Sequence, residues 1–60
     1  MTKRDIEDLS FAKGAIHRAM KELEEAMSVA DAIDSTVGDA IEKAHTACAK
    51  AKQKIINTLR

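Results

Sequence analysis

The sequence predicts an all-α fold, an antiparallel two-helix hairpin that is expected to dimerise into a four-helix bundle with its turns at opposite ends. The composition favours helix, because eleven of the 60 residues are alanine, proline is absent and Phe11 is the only aromatic residue. Apolar residues recur at intervals of three and four over two long stretches, which is the spacing of amphipathic helices. Between these stretches lies a cluster of residues that favour caps and turns.

The first helix is expected to run from about residue 3 to residue 33. Thr2, followed by Asp5 three positions later, fits a helix N-cap. Lys13 interrupts the apolar stripe, and we expect its stem to lie along the seam while its ammonium reaches water. The stripe consists of Ile6, Leu9, Ile16, Met20, Leu23 and Met27, flanked by Ala12, Ala19, Ala26 and Ile33.

The chain is expected to reverse in a loop at about residues 34–38. Asp34, Ser35 and Thr36 are weak helix formers, and Gly38 can adopt a left-handed conformation at a helix end. Two N-caps remain open for the second helix. Asp39, with Glu42 three residues later, resembles a capping box, and Thr36 is an equally acceptable N-cap.

The second helix is expected to span about residues 39–59 and to present a narrow inner face. Its predicted inner positions are Ile41, Ala44, Cys48, Ala51 and Ile55. Pairing about a turn near residue 36 places His17 level with about residue 55. The first helix would then overhang the second by about eight residues, or ~12 Å.

This geometry predicts an oligomer. A chain of 60 residues has at most one domain, residues 1–60, and a marginal core. The overhang leaves Ile6 and Leu9 without an intrachain surface, and a hairpin leaves both flanks of its stripe open. We therefore expect the inner residues of both helices to form the core of a homodimer or a higher oligomer.

The charges indicate how two hairpins would lie. Residues 1–21 and 50–60, the open end, contain nine basic and three acidic residues. Residues 22–49, the turn end, contain one basic and seven acidic residues. Antiparallel packing would place each basic end beside an acidic end, although surface pairs of this kind select orientation more than they stabilise.

We expect no catalytic site, metal site or cofactor. His45 and Cys48 have a spacing that suits two metal ligands, but structural zinc needs four, and His17 is predicted to lie about 15 Å away along the axis. The inner Cys48 lacks an activating environment, and the neighbouring Glu24 and Glu25 point to different faces of the helix.

Phe11 is the most distinctive surface residue, because it falls opposite the apolar stripe beside Gly14 and Ala15. We consider two interpretations. Phe11 could fold against an assembly neighbour, or it could anchor a partner protein together with Gly14, Ala15 and Arg18, since aromatic residues are enriched at interfaces. A glycine in mid-helix costs about 1 kcal/mol relative to alanine, which suggests close approach by another chain or a kink.

The basic open end offers candidate phosphate-binding residues, namely Lys3, Arg4, Lys50, Lys52 and Lys54. A solvated helix face is the alternative, since acids are interspersed and no glycine-rich cradle is present. In length, in the opening Met1-Thr2-Lys3 and in an inward cysteine on the second helix, the chain resembles the Rop family of plasmid RNA-binding hairpins. The resemblance is one of architecture and implies possible nucleic-acid binding, with no residue roles to transfer.

We expect a soluble cytoplasmic protein with no membrane partner, because no apolar run approaches ~18 residues and the N-terminus lacks a signal-peptide pattern. The leading functional hypothesis is a non-enzymatic regulatory protein that binds or occludes another protein as a homo-oligomer. The alternatives are nucleic-acid or nucleotide binding through the open end, or a structural role in a larger helical assembly.

Overall fold

The computed structural model describes all 60 residues and contains two helices, α1 (Lys3–Asp31) and α2 (Ser35–Leu59). The two helices pack against each other as a hairpin measuring 46 × 14 × 11 Å. The predicted all-helical hairpin is therefore confirmed. Neither helix contains a segment that is both long and apolar enough to cross a membrane.

The start of α1 is fixed by a reciprocal cap. The backbone N–H of Asp5 donates to Thr2 Oγ1 at 3.1 Å, and the backbone N–H of Thr2 donates to Asp5 Oδ2 at 3.1 Å. These two bonds form a complete capping box, which satisfies donors that the helix itself leaves unpaired. The N-cap predicted at Thr2 is present.

The turn is shorter and lies earlier than the sequence pattern suggests. Only residues 32–34 separate the helices, and the Ala30 carbonyl accepts from both Ile33 N–H at 3.0 Å and Asp34 N–H at 2.8 Å. The second helix therefore begins at Ser35, four residues before the predicted start. Neither Asp39 nor Thr36 is its N-cap.

Asp34 is the N-cap of α2. Its Oδ1 accepts from the Thr36 backbone N–H at 2.9 Å and from Thr36 Oγ1 at 2.7 Å. These two bonds lower the pKa of Asp34 below its ordinary value of 3.8, and the bond from the Thr36 side chain has the larger effect. The charged carboxylate is thus the form that holds the cap, and Ser35 and Thr36 enter the first turn of the helix.

Gly38 is the one buried residue, and its role differs from the one predicted. No residue in the chain has a positive φ, so Gly38 does not supply a left-handed turn. It lies in the first turns of α2, against the end of α1, where an added Cβ would overlap the Asp31 carboxylate. The absence of a side chain allows the helices to approach closely beside the turn.

The stability of the hairpin should depend on pH through Asp34. A carboxylate whose pKa is lowered by folding stabilises the folded state above its ordinary pKa, and this contribution is lost as the pH falls through the folded value. We expect Asp34→Asn, which keeps an acceptor at the cap, to lose less stability than the wild type between about pH 5 and about pH 3. Urea unfolding followed by circular dichroism measures this difference. Equal losses in both proteins would contradict the assignment of Asp34.

A double-mutant cycle tests the contact between Gly38 and Asp31. Gly38→Ala should gain about 1 kcal/mol of helix propensity in an Asp31→Ala background. In the wild-type background the gain should shrink or reverse, because the new methyl group must displace the Asp31 carboxylate. Equal effects of Gly38→Ala on the free energy of unfolding in the two backgrounds would show that the contact is unimportant.

Candidate interaction surface

The seam between the helices is half-buried along its whole length. No hydrophobic side chain reaches full burial, and several large ones remain exposed. On α1 the half-buried positions with large side chains are Leu9, Lys13, Ile16, Met20, Leu23 and Met27, and on α2 they are Ile41, His45, Cys48, Lys52, Ile55, Ile56 and Leu59. Lys13 lies along the seam as the sequence predicts.

One side of the seam, which we call the polar flank, carries three cross-helix pairings at seven-residue intervals. Lys52 Nζ donates to His17 Nδ1 at 2.9 Å, and His45 Nε2 lies 3.9 Å from Glu24 Oε2. Seven residues nearer the turn on each helix, the Asp31 carboxylate lies over Gly38. The polar flank therefore consists of His17, Glu24 and Asp31 from α1, and Gly38, His45 and Lys52 from α2.

These pairings define the register of the hairpin, which differs from the predicted one. His17 lies beside Lys52 and not level with residue 55. Extending the same register by seven residues places Leu59 level with Ser10, so that about seven residues of α1, residues 3–9, extend beyond the end of α2. Ile6 lies in this segment and is 45% exposed.

The opposite side of the seam, which we call the apolar flank, carries small and branched apolar residues at the same seven-residue spacing. Its first row consists of Ala12, Ala19 and Ala26 on α1 and Ile33 in the turn, and its row on α2 consists of Val37, Ala44 and Ala51. Ala44 and Ala51 were predicted to lie on the inner stripe, but both are exposed. His45 and Lys52 take the inner positions because α1 supplies each with a polar partner.

At the turn the apolar flank widens into an open groove of about 620 Å³. Val29 and Ile33 are 66% and 84% exposed there, although both are large hydrophobic residues. The six apolar residues that line this turn-end groove are Ala26, Val29, Ala30, Ile33, Val37 and Ile41. Its remaining lining residues, Glu22, Glu25 and Asp34, are all acidic. A large exposed apolar surface with a charged rim is typical of a protein interaction site.

Phe11 lies on the back of the hairpin and is 73% exposed. Gly14 and Ala15 beside it are half-buried, and Arg18 is exposed. A Cβ added to Gly14 would meet only Arg18 Nη1, at the ordinary contact distance of 3.5 Å. Packing within the chain therefore does not require a glycine at this position, and α2 does not cover Phe11.

The basic residues of the open end are dispersed and partly engaged. Lys52 is half-buried and bonded to His17, and Arg4 Nε lies 3.9 Å from Asp8 Oδ2. Lys3, Lys50 and Lys54 are exposed. The five candidate phosphate-binding residues therefore do not share one environment.

The residues considered as metal ligands do not come together. Cys48 is a free, half-buried thiol, and no group of three or more His, Cys, Asp or Glu residues could hold a metal ion. The two histidines instead make separate contacts with Lys52 and Glu24 on opposite helices.

Sequence reasoning gave no role to Val29, which it placed within the first helix, or to Val37, which it placed in the loop. The signal was present in the spacing, since Val37 precedes Ile41 by four residues and Ala44 by seven. Comparison with family models, with curated proteins and with solved structures finds no match to this chain. None of these comparisons supports the resemblance to the Rop family.

Proposed function

We propose that this chain is a non-enzymatic helical interaction protein that works as a homodimer and binds or occludes another protein. The observation that carries the proposal is the absence of any buried hydrophobic side chain in the hairpin. A domain of this size needs a buried core, a disulfide or a metal for its stability, and association supplies the missing burial.

The proposed dimer is a four-helix bundle with its turns at opposite ends. The open end has an excess of six positive charges and the turn end an excess of six negative charges. Antiparallel hairpins bring unlike ends together, whereas parallel hairpins place like charges side by side. Each exposed pair contributes little, so the charges select the orientation and the apolar surface provides the affinity.

The second partner is proposed to bind around Phe11. Phe11 is 73% exposed and lies one helical turn from Gly14 and Ala15, two small residues that leave a low surface on that part of α1. An exposed aromatic side chain beside such a surface provides a large apolar contact area with few rotamers to fix, as in many binding hot spots. The surface around Phe11 remains exposed when two hairpins associate through a flank of the seam.

Nucleic-acid binding through the open end is the second candidate function, supported by the nine basic residues there. Binding of this kind falls steeply with salt, because each phosphate contact releases counterions. The engagement of Lys52 with His17 and of Arg4 with Asp8 weakens this candidate.

The association and its orientation can be tested together. We expect sedimentation equilibrium to give the mass of two chains, and spin labels at Ser35→Cys in a Cys48→Ala background to lie roughly a hairpin length apart, since the hairpin is 46 Å long. A monomeric mass at all concentrations would overturn the proposed function. A dimer with a short distance between labels would retain the association but overturn the antiparallel arrangement.

Phe11→Ala tests the outer binding surface. We expect helix content and dimer mass to stay as in the wild type, because the ring is exposed, while retention of a protein from an extract of the source cells falls at least about tenfold. Retention by the wild type should change little between about 0.05 and 0.2 M salt. Phe11→Tyr, which keeps an aromatic ring, should retain the partner as the wild type does. Retention that falls steeply with salt and is unchanged by Phe11→Ala would favour nucleic-acid binding instead.

A further inference from the structure

The two flanks of the seam differ in the groups that they offer to another molecule. On the polar flank, side chains from both helices are already paired across the hairpin. On the apolar flank, no polar pair joins the two alanine-rich rows, which are exposed except at Ala12 and Ala19 and end in a groove. Covering the polar flank would remove water from charged groups, whereas covering the apolar flank removes water from methyl groups.

We infer that the apolar flank is the surface on which a second copy of this chain docks, and that residues 3–9 of each copy cover the turn-end groove of the other. This inference rests on the proposed antiparallel dimer and specifies which surface forms it. Three properties of the chain identify the occupant as a second copy.

The first property is length. The lining of the groove extends from Glu22 to Ile41 around the turn, and its apolar part that leads into the turn, from Ala26 to Ile33, covers about 10 Å. The overhanging residues 3–9 also cover about 10 Å. In an antiparallel pair of hairpins of equal length, the overhang of one copy comes to lie beside the turn end of the other.

The second property is charge. Every polar residue that lines the groove is acidic, namely Glu22, Glu25 and Asp34. The open end as a whole, residues 1–21 and 50–60, has an excess of six positive charges, whereas the overhang itself contains Lys3 and Arg4 against Asp5, Glu7 and Asp8. Within the overhang, Asp5 forms the capping box with Thr2 and Asp8 lies 3.9 Å from Arg4, so the charge match is between the open end and the turn end as wholes.

The third property is area. A face of 46 by 14 Å has a footprint on the order of 600 Å² before the relief of its side chains is counted. A standard stable interface buries about 800 Å² per partner. The whole apolar flank is thus close to the size that a stable dimer needs, and the small side chains of Ala19, Ala26 and Ala44 allow the helix axes to approach closely.

A matched pair of substitutions tests the choice of flank. Ala26 and Ser28 are exposed residues two positions apart on α1, and Ser28 lies on the other side of the helix, one turn from Glu24 and Asp31 of the polar flank. We expect Ala26→Gln to raise the Kd of the dimer at least about tenfold and Ser28→Gln to leave it unchanged, with equal helix content in both. Glutamine is neutral, so the comparison does not alter the charge match between the two ends. Equal dimer Kd values for the two variants would overturn the assignment of the flank.

Disulfide trapping in a Cys48→Ala background tests the occupant of the groove. A copy carrying Ile6→Cys, mixed with a copy carrying Ile33→Cys, should form an intermolecular disulfide faster than the same copy mixed with Ser28→Cys. Equal rates in an antiparallel dimer would overturn the occupancy of the groove while leaving the proposed function in place. A wild-type chain that remains monomeric would overturn both.

Discussion

The hairpin has a single seam with no hydrophobic side chain fully buried, and this constraint governs the rest of the structure. Full burial of a Leu or Ile side chain contributes about 1.5–3 kcal/mol, but each apolar residue of this seam remains open to water on one side. Two helices can bury only one stripe each. Further hydrophobic stabilisation must therefore come from a surface that the chain itself does not supply, and the exposed Val29 and Ile33 show where such a surface is lacking.

The polar flank explains how a weakly buried seam still has a defined register. Half-buried apolar side chains alone define a register weakly, because they make no directional contacts and can pack against more than one neighbour. The contacts of His17 with Lys52 and of Glu24 with His45 occur in one register only, and Gly38 admits the Asp31 carboxylate in that same register. Exposed polar pairs contribute only about 0–1 kcal/mol each. Their effect is thus on specificity more than on stability.

Sequence patterns predicted those features of the fold that depend on residues close together in the chain. They failed where a contact between the two helices determines the position of a side chain. The cap at Thr2 was predictable because both of its partners lie within four residues. The α2 start was missed because only Asp39 and Thr36 were considered as N-caps, whereas the Thr36 N–H donates to Asp34 two residues earlier. The polarity of the side chains did not predict that Ala44 is exposed and that His45 is half-buried at the seam. A histidine turns inward when the facing helix supplies Glu24, and no pattern along one helix contains that information.

The difference between the flanks also bears on whether association would stop at two chains. If both flanks were apolar, a hairpin could add a copy on each side, and growth would be open-ended. With one apolar flank, two copies related by a twofold axis cover each other and leave only polar flanks outside, so the assembly closes. The segregation of charge along the long axis acts in the same direction, because opposite ends meet twice in one such pair. Phe11 lies on neither flank, and in the proposed closed dimer its 73% exposed ring would remain accessible to a different partner.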